Sequence, residues 1–549
     1  MSMKPEPIGP IPAETERVAR AAFPRGNRAM QLRDRLGGIY DDARFADLFA
    51  ARGRPAEAPW RLAVVTVLQF AEGLTDRQAA EAVRGRIDWK YALGLPLEGP
   101  GFDFSVLSEF RARLVAGNAE HLLLDALLDT CKAHGLVRAR GRQRTDSTHV
   151  LGALRALNRL EQVAETVRAA LEAVAAADPN WLQAHAVPEW FVRYRRRIED
   201  YRLPQGQAGR ADFARQVGED GMVLLTALFG PDAPPALRDL AAVDVLRRTW
   251  VQRYLVWEGE VRLREPEDQP PASDQIVSPY EPEARYASKR AISWVGYKSH
   301  LTETCDDDLP HLLTQVETTI APAADVEQLG AIHKHLAATT LLPAEHLVDT
   351  GYVRTGNLVA SQKDYQVDLI GPIYEDRAWQ AKADEGFALA QFQIDWDAQV
   401  VTCPQGRESV RWESLQDARH PNLVHVAFSR ADCSACPARP HCTRSKTQAR
   451  TLTLRPRAEH DALLHLRQRQ TTPGFRTLYG RRAGIEGTIS QAVRVFDLRQ
   501  ARYRGLAKTH LQHVALAAAI NVDRLDRWFT EAPRISARPS RLAILAPLN

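Results

Sequence analysis

Two extended segments of the chain each carry an aspartate where a strand is expected to end, and they constrain the fold more than any other feature. Residues 143–150 contain Asp146, and residues 346–353 predict a short strand that reaches Asp349 and then a glycine turn. Further strand character lies at 291–304, 311–320 and 367–373, with a helical pattern at 325–339. The order strand, strand, strand, helix, strand predicts an α/β core.

Each aspartate alone is a weak sign of a site, because Asp-Ser-Thr and Asp-Thr-Gly also form ordinary turns and helix caps. Together they are more informative. If their strands are parallel neighbours, Asp146 and Asp349 lie side by side, and carboxylates so placed can bind a hard cation such as Mg²⁺.

A third acidic position occurs near the C-terminal end, within a segment that predicts a helix. Tyr479, Arg482 and Glu486 follow one another at i, i+3 and i+7, so a continuous helix would present all three on one face. That face would offer a carboxylate for a metal ion and a guanidinium for phosphate. A solvated Arg/Glu pair beside a packed tyrosine is the alternative interpretation.

Positive charge is concentrated in the same part of the chain. Residues 470–549 contain 13 Lys and Arg and 5 Asp and Glu, whereas the whole chain carries only +4. The densest basic stretch contains Arg499, Arg502, Arg504 and Lys508, and it predicts either a phosphate track or a solvated helix face. Its position after Glu486 favours the first interpretation, a stretch that binds the phosphates of DNA. His510 and His513 lack other ligands nearby in the sequence and are interpreted as structural.

Four of the six cysteines lie close together, at Cys403, Cys433, Cys436 and Cys442. The Cys-x2-Cys pair at 433–436 indicates a structural Zn²⁺ site closed by four thiolates, with free buried thiols as the alternative. Cys131 and Cys305 are expected in the core. So few cysteines in so long a chain exclude a disulfide framework, and with no apolar leader in residues 1–20 they predict a reducing cytoplasm.

The N-terminal part has helical periodicity over 58–116, and Thr75 with Gln78 predicts a capping box. Short helices with tight turns are typical of a helix-turn-helix domain. A packing or dimerisation bundle that never touches DNA fits the same pattern equally well.

These residues and motifs resemble those of a known family, the DDE transposases of bacterial insertion sequences. Residues 60–114 look like the N-terminal domain of InsH-type transposases. The motifs that occur in the family's order are Asp146-Ser147-Thr148, Trp294-Val295-Gly296-Tyr297-Lys298, Val348-Asp349-Thr350-Gly351-Tyr352 and the segment 482–486.

The resemblance implies that Asp146, Asp349 and Glu486 form a metal-binding catalytic triad, with two Mg²⁺ (or Mn²⁺) ions as cofactors. It also implies that Tyr479 and Arg482 belong to the family's Tyr-Arg-Glu-Lys signature. The signature's lysine position is Val493 here. The phosphate-gripping role would then pass to Arg494 or Lys508.

The fold implied by the resemblance is an RNase H-like (retroviral integrase-like) α/β core after an all-α N-terminal domain. The expected divisions are a loose arm at 1–30, the helical domain at 31–138, the first part of the core at 139–374 with a helical insertion at about 152–265, the four-cysteine insertion at 375–470, the Glu486 helix and basic helices at 471–530, and a tail at 531–549.

The implied function is cleavage at transposon ends and transfer of the 3′-OH strand into target DNA. Its expected partners are double-stranded DNA and a second copy of the chain, with no membrane, and the expected location is the bacterial cytoplasm, at the nucleoid during action. Two alternatives stay open, namely an inactive transposase-derived DNA-binding protein and a metal-dependent nuclease without strand transfer.

Overall fold

The computed structural model describes residues 2–5, 7–155, 157–383, 385–417 and 420–531. Helices and several β-sheets are mixed along these residues, so the chain is an α/β protein. Of the tail expected at 531–549, all but Glu531 lies outside the described residues.

The N-terminal part is helical, as its periodicity predicts. The capping box at Thr75 and Gln78 is present, with the Thr75 hydroxyl accepting from the Gln78 N–H and the Gln78 side chain accepting from the Thr75 N–H. The helices are α1 (Ala13–Ala22), α2 (Arg28–Leu36), α3 (Pro59–Glu72), α4 (Asp76–Gly85), α5 (Ile87–Leu93), α6 (Ser105–Ala116) and α7 (Leu122–Ala133). Helix α3 is apolar on nearly every face because other helices surround it.

Strand β1 (Arg142–Leu151) follows, and the chain then forms a long, mostly helical segment before it returns to the same sheet. This segment contains α8 (Arg159–Ala177), α9 (Pro179–His185), α10 (Trp190–Arg193), α11 (Gln207–Leu228), α12 (Pro235–Arg238), α13 (Ala241–Arg253), β2 (Tyr254–Trp257) and β3 (Glu260–Leu263). It has its own hydrophobic core, in which Trp181, Trp190 and Trp250 are buried. A separate core explains how so long a segment can interrupt a sheet protein.

The central sheet is completed after this helical segment. Its further elements are β4 (Arg285–Lys289), β5 (Ile292–Thr304), β6 (Leu313–Ile320), α14 (Asp325–Ala338), β7 (Glu345–Val348), α15 (Thr355–Tyr365) and β8 (Asp368–Ile370). The strand order is β4-β5-β1-β7-β8, with β6 also paired to β5. Strand β1 runs antiparallel to β5 and parallel to β7, and β7 runs parallel to β8.

The cysteine-containing segment follows β8 and forms small sheets and short helices. These are α16 (Trp379–Lys382), β9 (Gln393–Asp395), β10 (Val400–Thr402), β11 (Ser409–Asp417), β12 (His420–Phe428), α17 (Arg430–Ala435), α18 (Arg439–Cys442) and β13 (Thr451–Leu454). Phe392, Val426 and Leu454 are buried in a third hydrophobic cluster.

The C-terminal helices are α19 (Arg457–Arg469), α20 (Pro473–Gly480), α21 (Gly484–Phe496) and α22 (Leu506–Phe529). Helix α22 packs on β6 and on α3, so it joins the sheet and the N-terminal helices in one hydrophobic core. The buried Asn521 amide hydrogen bonds both the N–H and the carbonyl of Leu313, which satisfies backbone groups of β6. No helix of the described residues is long and apolar enough to cross a membrane.

A buried group of charges fixes α21 and α22 on the sheet. Glu303 on β5 is fully buried, and its two oxygens pair with Arg144 of β1 and Arg524 of α22, each at 2.7 Å. The Thr488 hydroxyl of α21 donates to the same carboxylate at 2.6 Å. Burial would raise the pKa of Glu303, but Arg524 and Arg144 outweigh it and hold that pKa below its usual value.

Removal of this charge is expected to destabilise the fold strongly. Glu303→Gln keeps the shape of the side chain but leaves two arginines buried without their counter-ion, which costs about 3–5 kcal/mol of unfolding free energy. Denaturant unfolding of the variant and the wild type measures the difference. Glu219→Gln is the control because Glu219 forms only a surface pair with Arg215. Equal stability of both variants would contradict the assigned role of Glu303.

Candidate active site

The register of two parallel strands places the predicted aspartates together. Thr145 of β1 pairs with Val348 of β7, so the residues that follow them, Asp146 and Asp349, are neighbours where β7 ends. Each carboxylate accepts a hydrogen bond from the next N–H, that of Ser147 or Thr350, at 2.7 Å. The side-by-side arrangement expected of parallel strands is therefore present.

Asp146 is largely buried, and burial raises its pKa above the usual range for aspartate. Arg482 and the Ser147 N–H act in the opposite direction, whereas the charge of Asp349 raises the pKa further. The ionised form of Asp146 thus depends on a nearby positive charge.

Arg482 supplies that charge and also reaches the third predicted acid. Its Nη2 lies 2.7 Å from Asp146 Oδ2, and its Nη1 lies 3.4 Å from Glu486 Oε1. The Glu486 side chain is 69% exposed, unlike that of Asp146 at 14%. Arg482 Nε is buried and has no hydrogen-bond partner among the described residues. One guanidinium therefore connects acids that are far apart in the sequence.

The helix predicted to carry Tyr479, Arg482 and Glu486 is present, but a 3₁₀ turn interrupts its α-helical geometry. Tyr479 lies in the last turn of α20, Arg482 lies in a 3₁₀ turn at Arg481–Ala483, and Glu486 lies in the first turn of α21. Arg144 explains the break, because its Nη1 donates to the Arg481 carbonyl at 2.5 Å.

Gly484 permits this close approach. A Cβ at that position would lie only 2.1 Å from Arg144 Nη1, so any larger residue would displace the guanidinium or the helix. Arg144 lies two residues before Asp146 and also binds Glu303. The same arginine thus sets the position of α21 relative to the strand that carries Asp146.

The three acids line a cavity of about 630 Å³ on this edge of the sheet. Of the predicted site residues, Asp146, Asp349, Arg482, Glu486, Arg494 and Arg499 line it, together with Val493 at the position of the signature lysine. Arg499 also donates from Nε to the Thr148 hydroxyl at 3.0 Å.

Two cations that line the cavity were not foreseen from the sequence. Lys289 and Arg290 form the tip of the β4–β5 hairpin, and Arg290 has a positive φ of 56°. Lys289 lowers the pKa of Asp146 through its charge. Neither makes an ion pair with any described residue. The only sign of them in the sequence is that a lysine and an arginine are adjacent. Their proximity to Asp146 depends on the register of the β4–β5 hairpin, which the sequence does not show.

The rest of the predicted basic stretch contacts other parts of the protein. The Arg502 guanidinium lies 4.9 Å from the centre of the Phe70 ring, and that of Arg504 lies 5.8 Å from the Tyr280 ring. Tyr479 stacks on Phe475 with ring centres 5.8 Å apart. The cavity is not lined by any of four predicted residues, namely Tyr479, Arg502, Arg504 and Lys508.

A network of polar side chains next to Asp146 supports the site. Lys298 Nζ lies 2.8 Å from Asp325 Oδ1, and the other Asp325 oxygen accepts from the Ser147 hydroxyl at 3.2 Å. Burial would raise the pKa of Asp325, but the ion pair with Lys298 holds it below its usual value. The Tyr352 hydroxyl lies 2.6 Å from His300 Nδ1, and burial lowers the pKa of His300 to about 4. His300 is therefore a neutral partner.

The four clustered cysteines come together as well. Cys403, Cys433, Cys436 and Cys442 are free thiols that line one small cavity, and burial raises the pKa of Cys442. Cys131 and Cys305 are buried in the core, as expected. In the described part of the chain, no three His, Cys, Asp or Glu side chains are arranged to hold a metal ion.

Comparison with known proteins gives two family matches. A family described as "Transposase domain (DUF772)" matches residues 18–113, and one described as "Transposase DDE domain" matches residues 402–526. The second match includes Arg482, Glu486 and the four clustered cysteines, but neither Asp146 nor Asp349. No curated protein matches the chain. The two matches, one in each half of the chain, indicate a DDE transposase of the insertion-sequence type.

Proposed function

We propose that this transposase cuts DNA at the ends of its insertion sequence and joins the freed 3′-OH to target DNA, with Asp146, Asp349 and Glu486 as its catalytic carboxylates. The observation that carries this proposal is the pairing of Thr145 with Val348, which makes Asp146 and Asp349 neighbours. The contacts of Arg482 with Asp146 and Glu486 support the third assignment.

The sheet supports an RNase H-like core. Strands β6, β5 and β1 form an antiparallel series, and β7 and β8 then continue in parallel with β1. In this proposal the helical insertion separates β1 from β4, and the cysteine segment separates β8 from α19. The N-terminal helices would form the all-α domain of residues 31–138.

The three carboxylates would hold two Mg²⁺ or Mn²⁺ ions, which supply activation of water or the 3′-OH and stabilisation of the leaving oxygen. Three carboxylates are suitable ligands for such ions, and the acids would have to move closer together to hold them. Asp146 is buried beside Asp349, and the charge of Arg482 partly offsets the rise in its pKa that burial causes. The N–H groups of Ser147 and Thr350 orient the two aspartates. Arg482 would have to release at least one acid when a metal ion binds.

The cations that line the cavity would hold the DNA backbone. Lys289, Arg290, Arg494 and Arg499 surround the acids without an ion pair to any described residue. Their charges attract phosphates and would bring a phosphodiester towards Asp146 and Asp349. Because Val493 cannot bind phosphate, Lys289, Arg290 or Arg494 would take over that role. A homodimer would handle the two transposon ends together.

We also propose that the four clustered cysteines close around a structural Zn²⁺ ion, since they share one cavity. Their side chains would have to move closer together on binding. Metal analysis of the purified chain tests this, and absence of zinc from protein prepared in zinc-containing medium would contradict it.

Loss of any one acid is expected to abolish cleavage and to spare DNA binding. Asp146→Asn, Asp349→Asn and Glu486→Gln keep side-chain shape but remove a metal ligand, whereas binding depends on the basic surfaces. Cleavage of a labelled transposon end in Mg²⁺ and a binding titration measure the two effects. Asp497→Asn is the control, because Asp497 is exposed after the end of α21 and does not line the cavity.

Cleavage by any of the three variants at the wild-type rate would refute the triad. A pre-nicked end with an exposed 3′-OH separates the alternatives. A transposase joins that end to target DNA, a plain nuclease cuts but does not join, and an inactive DNA-binding protein does neither.

The hairpin cations are expected to contribute to DNA affinity. Lys289→Ala with Arg290→Ala removes two phosphate contacts, so the slope of log affinity against log salt should decrease by about 2. The double variant Lys334→Ala with Lys363→Ala removes the same charge from exposed positions outside the cavity and should leave the slope unchanged. Identical slopes for the hairpin variant and the wild type would show that the hairpin does not contact DNA.

A further inference from the structure

Three consecutive arginines in the helical insertion, Arg195, Arg196 and Arg197, are exposed directly after α10. None of them makes a hydrogen bond or an ion pair with any described residue. Glu199 interacts with Arg197 through its charge, but its ion pair is with Arg202, at 3.6 Å. The bend therefore presents unneutralised positive charge to solvent.

Most other arginines of the insertion have acidic partners within 4 Å, and Arg159, Arg238, Arg253 and Arg264 instead donate hydrogen bonds to carbonyl or amide oxygens. The ion pairs include Arg155–Glu161, Arg168–Glu165, Arg193–Asp220, Arg210–Asp200, Arg215–Glu219, Arg247–Asp244 and Arg262–Glu260. The free charge at 195–197 is thus a local property of the bend and not a general consequence of an arginine-rich chain.

The bend is held in place at both ends. Tyr194 is buried, and its hydroxyl donates to Asp220 at 2.6 Å. Ile198 is also buried, and its N–H donates to Glu165 at 2.6 Å. The chain between these two anchors must turn outwards. A fixed loop of this kind loses little backbone entropy when it binds a ligand.

Exposed apolar side chains flank the arginines. Phe191 is 56% exposed, Val192 is 73% exposed and Tyr201 is 69% exposed. Arginines next to exposed apolar side chains suit contact with a duplex backbone, because the cations pair with phosphates and the apolar groups can pack on the sugars.

The bend also lies close to the candidate active site. Arg155 donates from Nη2 to the Ile198 carbonyl at 2.8 Å, and Arg155 follows cavity-lining His149 by only six residues. Six extended residues span at most about 22 Å. Allowing for the length of the Arg155 side chain, the bend lies within about one helical turn of duplex DNA, roughly 34 Å, from the cavity.

We propose that Arg195, Arg196 and Arg197 bind the phosphate backbone of duplex DNA within about one helical turn of the phosphodiester in the cavity. This rests on the proposed function only in taking DNA as the substrate of the cavity. The helical insertion would then form a second DNA contact, in addition to the cavity. This contact would fix the direction in which the duplex leaves the cavity.

The test compares two triple variants in DNA binding without divalent metal. Arg195→Ala, Arg196→Ala and Arg197→Ala together should lower the affinity for a labelled duplex of about 40 base pairs at least about tenfold, and lower the salt slope by about 2–3. Arg215→Ala, Arg247→Ala and Arg248→Ala remove the same charge from paired, exposed positions of the same insertion and should leave the slope unchanged. Thermal unfolding of both variants checks that they are folded.

Equal losses in the two triple variants, or a wild-type slope in the first, would overturn the proposal. So would loss of binding to anionic lipid vesicles with unchanged DNA binding, because the surface would then be a membrane contact. Cleavage is scored separately. If the wild type never cuts DNA but the salt slope of the first triple variant decreases as expected, the proposed catalysis is wrong and the DNA contact of Arg195, Arg196 and Arg197 is still supported.

Discussion

The fully buried Glu303 carboxylate, held between Arg144 and Arg524, is the interaction on which the arrangement of the candidate active site depends. It joins β1, β5 and α22, and Thr488 adds α21. A buried carboxylate with two cationic partners is stable only while both are in place. The cluster therefore couples the position of the Glu486 helix to the strand that carries Asp146, over more than 300 residues of sequence.

Arg144 transmits this constraint directly to the candidate site. It binds Glu303 and also the Arg481 carbonyl, so the turn that contains Arg482 cannot shift without disturbing a buried ion pair. Arg482 in turn holds Asp146. The site is thus organised by positive charge before any metal ion is present, and a metal ion would compete with Arg482 for the same carboxylates.

Much of the sheet could be predicted from the sequence, because short apolar runs with β-branched residues mark strands well. The adjacency of Asp146 and Asp349 followed from their parallel strands. The break between Tyr479 and Glu486 could not be predicted, because it depends on a contact with Arg144, which is distant in sequence. Lys289 was missed for a similar reason, since only the β4–β5 register brings it to the cavity. Local sequence patterns do not predict contacts between residues that are distant in the sequence.

The most direct test of the account is an experimental structure of the full chain with a transposon-end duplex and Ca²⁺, which fills two-metal sites without supporting cleavage. Asp146, Asp349 and Glu486 should coordinate ions about 4 Å apart, and Arg482 should have released at least one of its two acids. Carboxylates more than about 10 Å apart on bound DNA could not share a two-metal site and would contradict it.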